Sequence, residues 1–111
     1  REFLHVDDLA VVCLYLMNNI EADDLYNSGI SHINIGSGEE VSIKELAIMI
    51  KNVVGYQGGL FFNSDYPDGT PRKLLDVSRL NAMGWESKIK LHAGLKSVYK
   101  WYLETRAEKI L

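Results

Sequence analysis

A small α/β unit is the fold class that this sequence predicts, from three observations. Ser42 and Gly55 bracket a regular amphipathic helix, and a second apolar stripe at helical spacing runs through about residues 91–106. Short segments with strand character (Phe3–Val6, 31–35 and 60–62) stand before and between them. The expected architecture is a few short strands with three main helices. At 111 residues the chain forms one domain, 1–111, with room for a modest core.

Phe3 to Val6 reads as extended, and Asp7 is the expected N-cap of the first helix. From Leu9 to Met17 no charged residue occurs. Leu9, Val12, Cys13, Leu16 and Ile20 share one face, while Val11, Leu14 and Tyr15 occupy another. A helix that is apolar all round is buried on more than one side, and so small a domain can hardly cover both. That leads to the expectation of a missing partner domain. The opening at Arg1, without methionine or polar preamble, adds the expectation that the chain is a piece of something longer.

Residues 19–30 are acidic and turn-rich, and are expected as a surface loop. Ser31 to Ile35 alternates like a strand and runs into Gly36-Ser37-Gly38. Ser42-Ile43-Lys44-Glu45 is a capping box. The helix it starts places Ile43, Leu46, Ala47, Ile50, Val53 and Val54 on one stripe, and Gly55 stops it. Leu60-Phe61-Phe62 is the third expected strand. Ser78 is placed to cap a short helix through Met83, ended by Gly84. The last helix covers about residues 91–106, with Leu91, Leu95, Val98, Tyr99, Tyr102 and Leu103 as its buried stripe.

Composition narrows the function classes. The net charge of −3 argues against general nucleic-acid binding, which needs a basic footprint. No apolar run approaches a membrane span. A single cysteine allows no internal disulfide and fits a reducing, cytoplasmic setting. Cys13 reads as a small core residue, and the three histidines as structural, with no metal-ligand cluster. Gly36-Ser37-Gly38 lies between a strand and a helix, as a dinucleotide-binding turn would. Val41 stands where the third glycine belongs, however, and Glu39-Glu40 would repel a pyrophosphate. No Tyr-x-x-x-Lys spacing and no serine–histidine–acid pattern occurs, so no catalytic residue is expected in this chain.

The distinctive stretch is Pro67-Asp68-Gly69-Thr70-Pro71-Arg72-Lys73, which holds both prolines. Two fixed φ angles and an Asp-Gly turn needing φ > 0 make a stiff loop ending in two cations. Such a loop suits a phosphate-bearing ligand, with Asp68 free to accept hydrogen bonds from sugar or base. A plain surface turn with solvated charges is the competing reading.

Three blocks together carry a resemblance: Arg1-Glu2-Phe3-Leu4-His5-Val6-Asp7-Asp8-Leu9-Ala10, His32 to Gly38, and Pro67 to Asp76. With Gly84-Trp85 and the ending Tyr99-Lys100-Trp101-Tyr102-Leu103, the chain resembles the C-terminal third of the GDP-L-fucose synthase family. These are the GDP-4-keto-6-deoxy-D-mannose epimerase/reductases of the extended short-chain dehydrogenases. The first two blocks are shared with many nucleotide-sugar epimerases and dehydratases; the third is more specific. The resemblance implies a substrate domain whose intact enzyme epimerises C3 and C5 of the sugar, then reduces C4 with NADP(H) bound by a missing N-terminal domain. It further implies that Arg1, Asp68 and Lys73 bind the GDP-sugar, with Arg72 a weaker candidate, and that the intact enzyme is a homodimer. Lys90 departs from the pattern, since a serine or threonine cap is common there before the last helix. The alternatives are the substrate domain of another nucleotide-sugar epimerase or dehydratase, and a non-catalytic nucleotide-binding module.

Overall fold

A computed structural model describes the backbone of residues 1–110 and the side chains of residues 1–106. Five helices follow in order: α1 (Val6–Asn19), α2 (Ala22–Asn27), α3 (Ile43–Val54), α4 (Ser78–Ala82) and α5 (Leu91–Ile110). They fall into two compact units. One holds Glu2–Glu40 and Leu74–Ile89, and the other holds Arg1, Val41–Lys73 and the chain from Lys90 on.

The first unit, with α1, α2 and α4, is built around Val12, Leu80 and Trp85, all buried. Leu4, Tyr15, Leu16, Ile33 and Ile35 pack against them. The face α1 turns inward therefore runs through Asp8, Val12, Tyr15 and Leu16, which corrects the expected stripe. Leu9 and Cys13 are exposed, together with Val6, Val11, Leu14 and Met17, the last at 80%. Asp8 explains the shift. It is 3% exposed, and one carboxylate oxygen accepts the N–H groups of Lys88 (3.0 Å) and Ile89 (2.9 Å). A buried carboxylate is tolerable when it is hydrogen-bonded in this way. Tyr15 spans the same core and donates its hydroxyl to the Met83 carbonyl at 2.7 Å.

Local signals decide the helix ends. The N-cap of α1 is His5, not Asp7: its Nδ1 accepts the Asp7 N–H at 3.2 Å. Accepting at Nδ1 places the ring proton on Nε2, which is buried without a partner among the described residues. Helix α2 forms where a loop was expected. Asp23 and Asp24 in its first turn complement the helix dipole, and Ile30 N–H closes back on the Leu25 carbonyl at 2.8 Å. The N-cap of α4 is Val77 rather than Ser78, and Ser78 N–H, at the first helical position, donates to Oδ1 of the preceding Asp76 at 2.9 Å. Gly84 ends that helix as expected, at φ 94°.

The expected strands do not pair into a sheet. Among the described residues the β pairing is one antiparallel bridge, Glu2 with Glu40. Residues 31–35 are held in part by side chains. Asn34 Nδ2 donates to the Asp76 carbonyl (3.3 Å), and Arg79 Nη1 donates to the His32 carbonyl (3.3 Å). In the other unit, Leu60-Phe61-Phe62 stays unpaired and Phe61 is 90% exposed. A strand needs a neighbour to satisfy its ladder, and the described residues supply none here.

In the second unit α3 packs against α5. The capping box is complete: Glu45 N–H donates to Ser42 Oγ (3.1 Å) and Ser42 N–H donates to Glu45 Oε2 (2.9 Å). Gly55 closes the helix in the left-handed region at φ 70°, with Tyr56 N–H on the Lys51 carbonyl at 3.1 Å. The apolar stripes are less buried than expected. Leu46, Ala47, Val53, Leu91, Leu95 and Tyr99 are half-buried, whereas Ile43, Ile50, Val54, Val98, Tyr102 and Leu103 are exposed. One neighbouring helix covers only part of each stripe. Parts of both stripes line an open apolar groove of about 260 Å³, among them Ile50, Val53, Val54, Leu95, Val98 and Tyr102.

Candidate functional site

The candidate site belongs to the second unit. Arg1 is fixed at its backbone by a reciprocal pair with Val41: the Arg1 nitrogen donates to the Val41 carbonyl at 2.7 Å, and Val41 N–H donates back at 2.9 Å. Val41 immediately precedes the α3 cap. From this base the half-buried Arg1 side chain reaches the 67–73 loop, where Nη1 donates to the Thr70 carbonyl. Two of the sequence-predicted elements, 69 positions apart, are thus brought together.

The loop itself is exposed throughout, Asp68, Arg72 and Lys73 included. Its entry is shaped by Asn63, whose Oδ1 accepts the Asp65 N–H at 2.9 Å. Pro67 and Pro71 fix two φ angles, and Thr70, preceding a proline, is confined to extended conformations. The expected positive φ at Gly69 is absent: the left-handed glycines are 29, 38, 55 and 84. Gly69 instead meets a close approach, because a Cβ there would stand 2.8 Å from Arg1 Nη2. The unit carries a guanidinium with several donors on the half-buried Arg1, and an exposed ammonium and carboxylate in the loop. Guanidinium and ammonium groups are the usual donors to phosphate, and a carboxylate is an acceptor.

The glycine turn 36–38, in the other unit, does not fit a dinucleotide. Its donor is taken by a carboxylate of the chain, since Gly38 N–H donates to Glu2 Oε2 at 2.7 Å. Glu2 also packs so tightly on Gly36 that a Cβ there would meet its carboxylate at 2.6 Å. Its other oxygen, Oε1, accepts the Leu75 N–H at 3.2 Å. A pyrophosphate would have to displace this anion. Glu2 is the residue the sequence did not single out: its carboxylate joins two distant segments. One signal was present, the tight Gly-x-Gly turn with no phosphate-binding third glycine, which leaves its N–H groups for an acceptor within the protein. No group of three metal-ligating side chains occurs among the described residues. None of their helices is long and apolar enough to cross a membrane.

Comparison with known proteins bears on this geometry. No family model matches the chain. It is 54% identical over 104 residues to a probable GDP-L-fucose synthase 1 of Oryza sativa subsp. japonica, covering 94% of this chain and 30% of that protein. It is 50% identical over 108 residues to the GDP-L-fucose synthase of Escherichia coli K12, covering 96% of this chain and 34% of that protein. Among solved structures, a GDP-6-OMe-4-keto-L-xylo-heptose reductase from C. jejuni superposes with a TM-score of 0.87 at 48% identity, covering 95% of this chain and 31% of that one. A GDP-mannoheptose C4 reductase from Campylobacter jejuni with NADP bound gives 0.79 at 48% identity, covering 92% and 31%. The chain thus spans about a third of the length of the relatives it matches. Over more than nine-tenths of its own length it is similar to proteins named GDP-L-fucose synthase and to GDP-sugar reductases.

Proposed function

We propose that this chain is the GDP-sugar-binding part of a GDP-L-fucose synthase, an enzyme that epimerises GDP-4-keto-6-deoxy-D-mannose at C3 and C5 and reduces C4 with NADPH. The observation that carries the reading is the seating of the Arg1 guanidinium on the Gly69–Thr70 backbone, in a loop that also bears Asp68, Arg72 and Lys73. Arg1 contacts phosphate oxygens through its planar fork, Lys73 supplies a point charge, and Asp68 accepts from the nucleoside end. Arg72 is a weaker contributor. Binding energy collected at the GDP end, remote from the reacting carbons, is what positions the sugar for chemistry.

No hydride donor or proton donor is assigned within the chain. Its glycine turn is filled by Glu2, so the cofactor and the catalytic groups are assigned to the part of the intact enzyme that this chain does not span. Two surfaces support that division. The outer face of α1 exposes Val6, Val11, Leu14 and Met17, and the groove between α3 and α5 is lined by apolar side chains. We assign both to contact with the remaining two-thirds of the enzyme, and the homodimeric state to that intact form.

Titration with GDP tests the assignment. Replacing Lys73 by alanine should weaken GDP by about 1.5–3 kcal/mol, the range for a charge-assisted hydrogen bond, and in the intact enzyme should leave NADPH affinity unchanged. Equal losses for both ligands would remove Lys73 from the site. A second reading has an observation of its own: two of the structural neighbours are reductases of GDP-heptoses. It keeps the same GDP contacts and changes the sugar. Turnover of a GDP-4-keto-heptose in preference to GDP-4-keto-6-deoxy-D-mannose by the intact enzyme would select it.

A further inference from the structure

We propose that Arg1 is also a positioning residue, a latch that holds the 67–73 loop in its ligand-ready place, and that position 69 is glycine to let the latch pass. The proposal takes its ligand from the GDP reading above, but the latch is a property of the free protein.

Three features carry it. First, Arg1 starts from a fixed base, its backbone paired in both directions with Val41 at the entrance to α3. Second, Nη1 donates to the Thr70 carbonyl, and Thr70 lies next to Pro71, so the bonded carbonyl belongs to a backbone with little freedom of its own. A constraint applied there reaches Arg72 and Lys73 through a proline rather than through a flexible joint. Third, Gly69 is not in the left-handed region, so backbone conformation gives no reason for glycine. Space gives one: a Cβ would come within 2.8 Å of Arg1 Nη2. The group it would meet is the far end of a flexible side chain. An alanine at 69 is therefore expected to push the guanidinium away and leave the fold intact. A guanidinium has five N–H donors, so one used on Thr70 leaves others for a phosphate.

The test uses Gly69→Ala, Arg1→Ala and the double variant in the protein, with two readouts. Backbone ¹⁵N order parameters report the loop without ligand, and GDP titration reports the site. In the unsubstituted protein the amides of Gly69, Thr70, Arg72 and Lys73 should be rigid, near 0.85 on the usual scale, falling below about 0.6 in either single variant. The double variant should be no more mobile than Arg1→Ala, because once the arginine is gone a Cβ at 69 meets nothing. Gly69→Ala should weaken GDP about tenfold, by displacing the Arg1 guanidinium and loosening the loop together, and should add nothing in the Arg1→Ala background. The melting temperature of Gly69→Ala should not move. Loop order unchanged in Gly69→Ala, additive effects of the two substitutions, or full GDP affinity in Gly69→Ala would each overturn the latch. If the order parameters behave as described but the unsubstituted protein does not bind GDP, the latch stands and the GDP reading falls.

Discussion

The two units of this protein use the same elements in opposite ways. The unit containing α1 and α4 closes on itself: Val12, Leu80 and Trp85 are buried, and a buried carboxylate and a tyrosine hydroxyl tie α1 to the chain around α4. The unit containing α3 and α5 has the better-formed helices by local criteria, yet no residue of α3 is buried and an apolar groove lies open beside it. Good capping and a clean stripe are therefore separate from burial. The first decides where a helix begins and ends; the second depends on how many neighbours it has.

The largest expected effect lies in the closed unit. Leu80→Ala removes a fully buried side chain from a core of three and should cost about 2–5 kcal/mol, read as early loss of amide protection in α1 and α4. The same truncation on the open side, Val98→Ala, should cost less than about 1 kcal/mol in this chain, because little apolar area leaves water. Equal costs would mean that the groove is closed in solution.

Asp8→Ala comes next. It deprives the Lys88 and Ile89 N–H groups of their acceptor, and an unsatisfied buried donor costs about 1–3 kcal/mol. Asp8→Asn, which retains an acceptor oxygen, should recover part of the loss. A melting temperature unchanged in Asp8→Ala would show that the loop 87–89 rearranges to water without cost.

What was legible in the sequence follows the same division. Ser42, Glu45 and Gly55 act over a few residues, so α3 could be read to its ends. Gly84 stopped α4 for the same reason. The errors came where distant partners decide. Asp7 is a good cap by residue type, but His5 Nδ1 takes that place, and Asp8 turns inward because two N–H groups 80 positions away need it. Cys13 and Leu9 left the core when Asp8 entered it. The strands failed because alternation describes one segment and pairing requires two. In the candidate site, the stiffness of 67–73 was readable from its prolines, whereas the contact of Arg1 with Thr70 was not, since it joins residues 69 apart.

Ser42→Ala sharpens the comparison at smaller scale. Loss of an N-cap serine costs about 1 kcal/mol, and here it should appear as fraying of the first turn of α3. The corresponding end of α4, held by Asp76, should be unaffected.

The smallest effect is a pH dependence that both units share. Hydrogen bonds from the Ser42 side chain and its backbone N–H hold the Glu45 carboxyl below its ordinary range. The Ser78 side chain and N–H do the same for Asp76, with Arg79 adding a smaller attraction. A carboxyl whose folded pKa is lowered contributes stability that is fully present above its unfolded value and is lost as pH falls through the folded one. Both helix starts should therefore loosen on acidification below the usual carboxylate range, and neither should respond near neutrality. Because both groups are fully exposed, the effect should be modest. Glu45→Gln separates the two: glutamine can still accept in a capping box but does not titrate. The start of α3 should then become insensitive to acid while the start of α4 keeps its response, as read from amide shifts at residues 42–45 and 76–79. An acid response at α3 that survives Glu45→Gln would move its origin away from the cap.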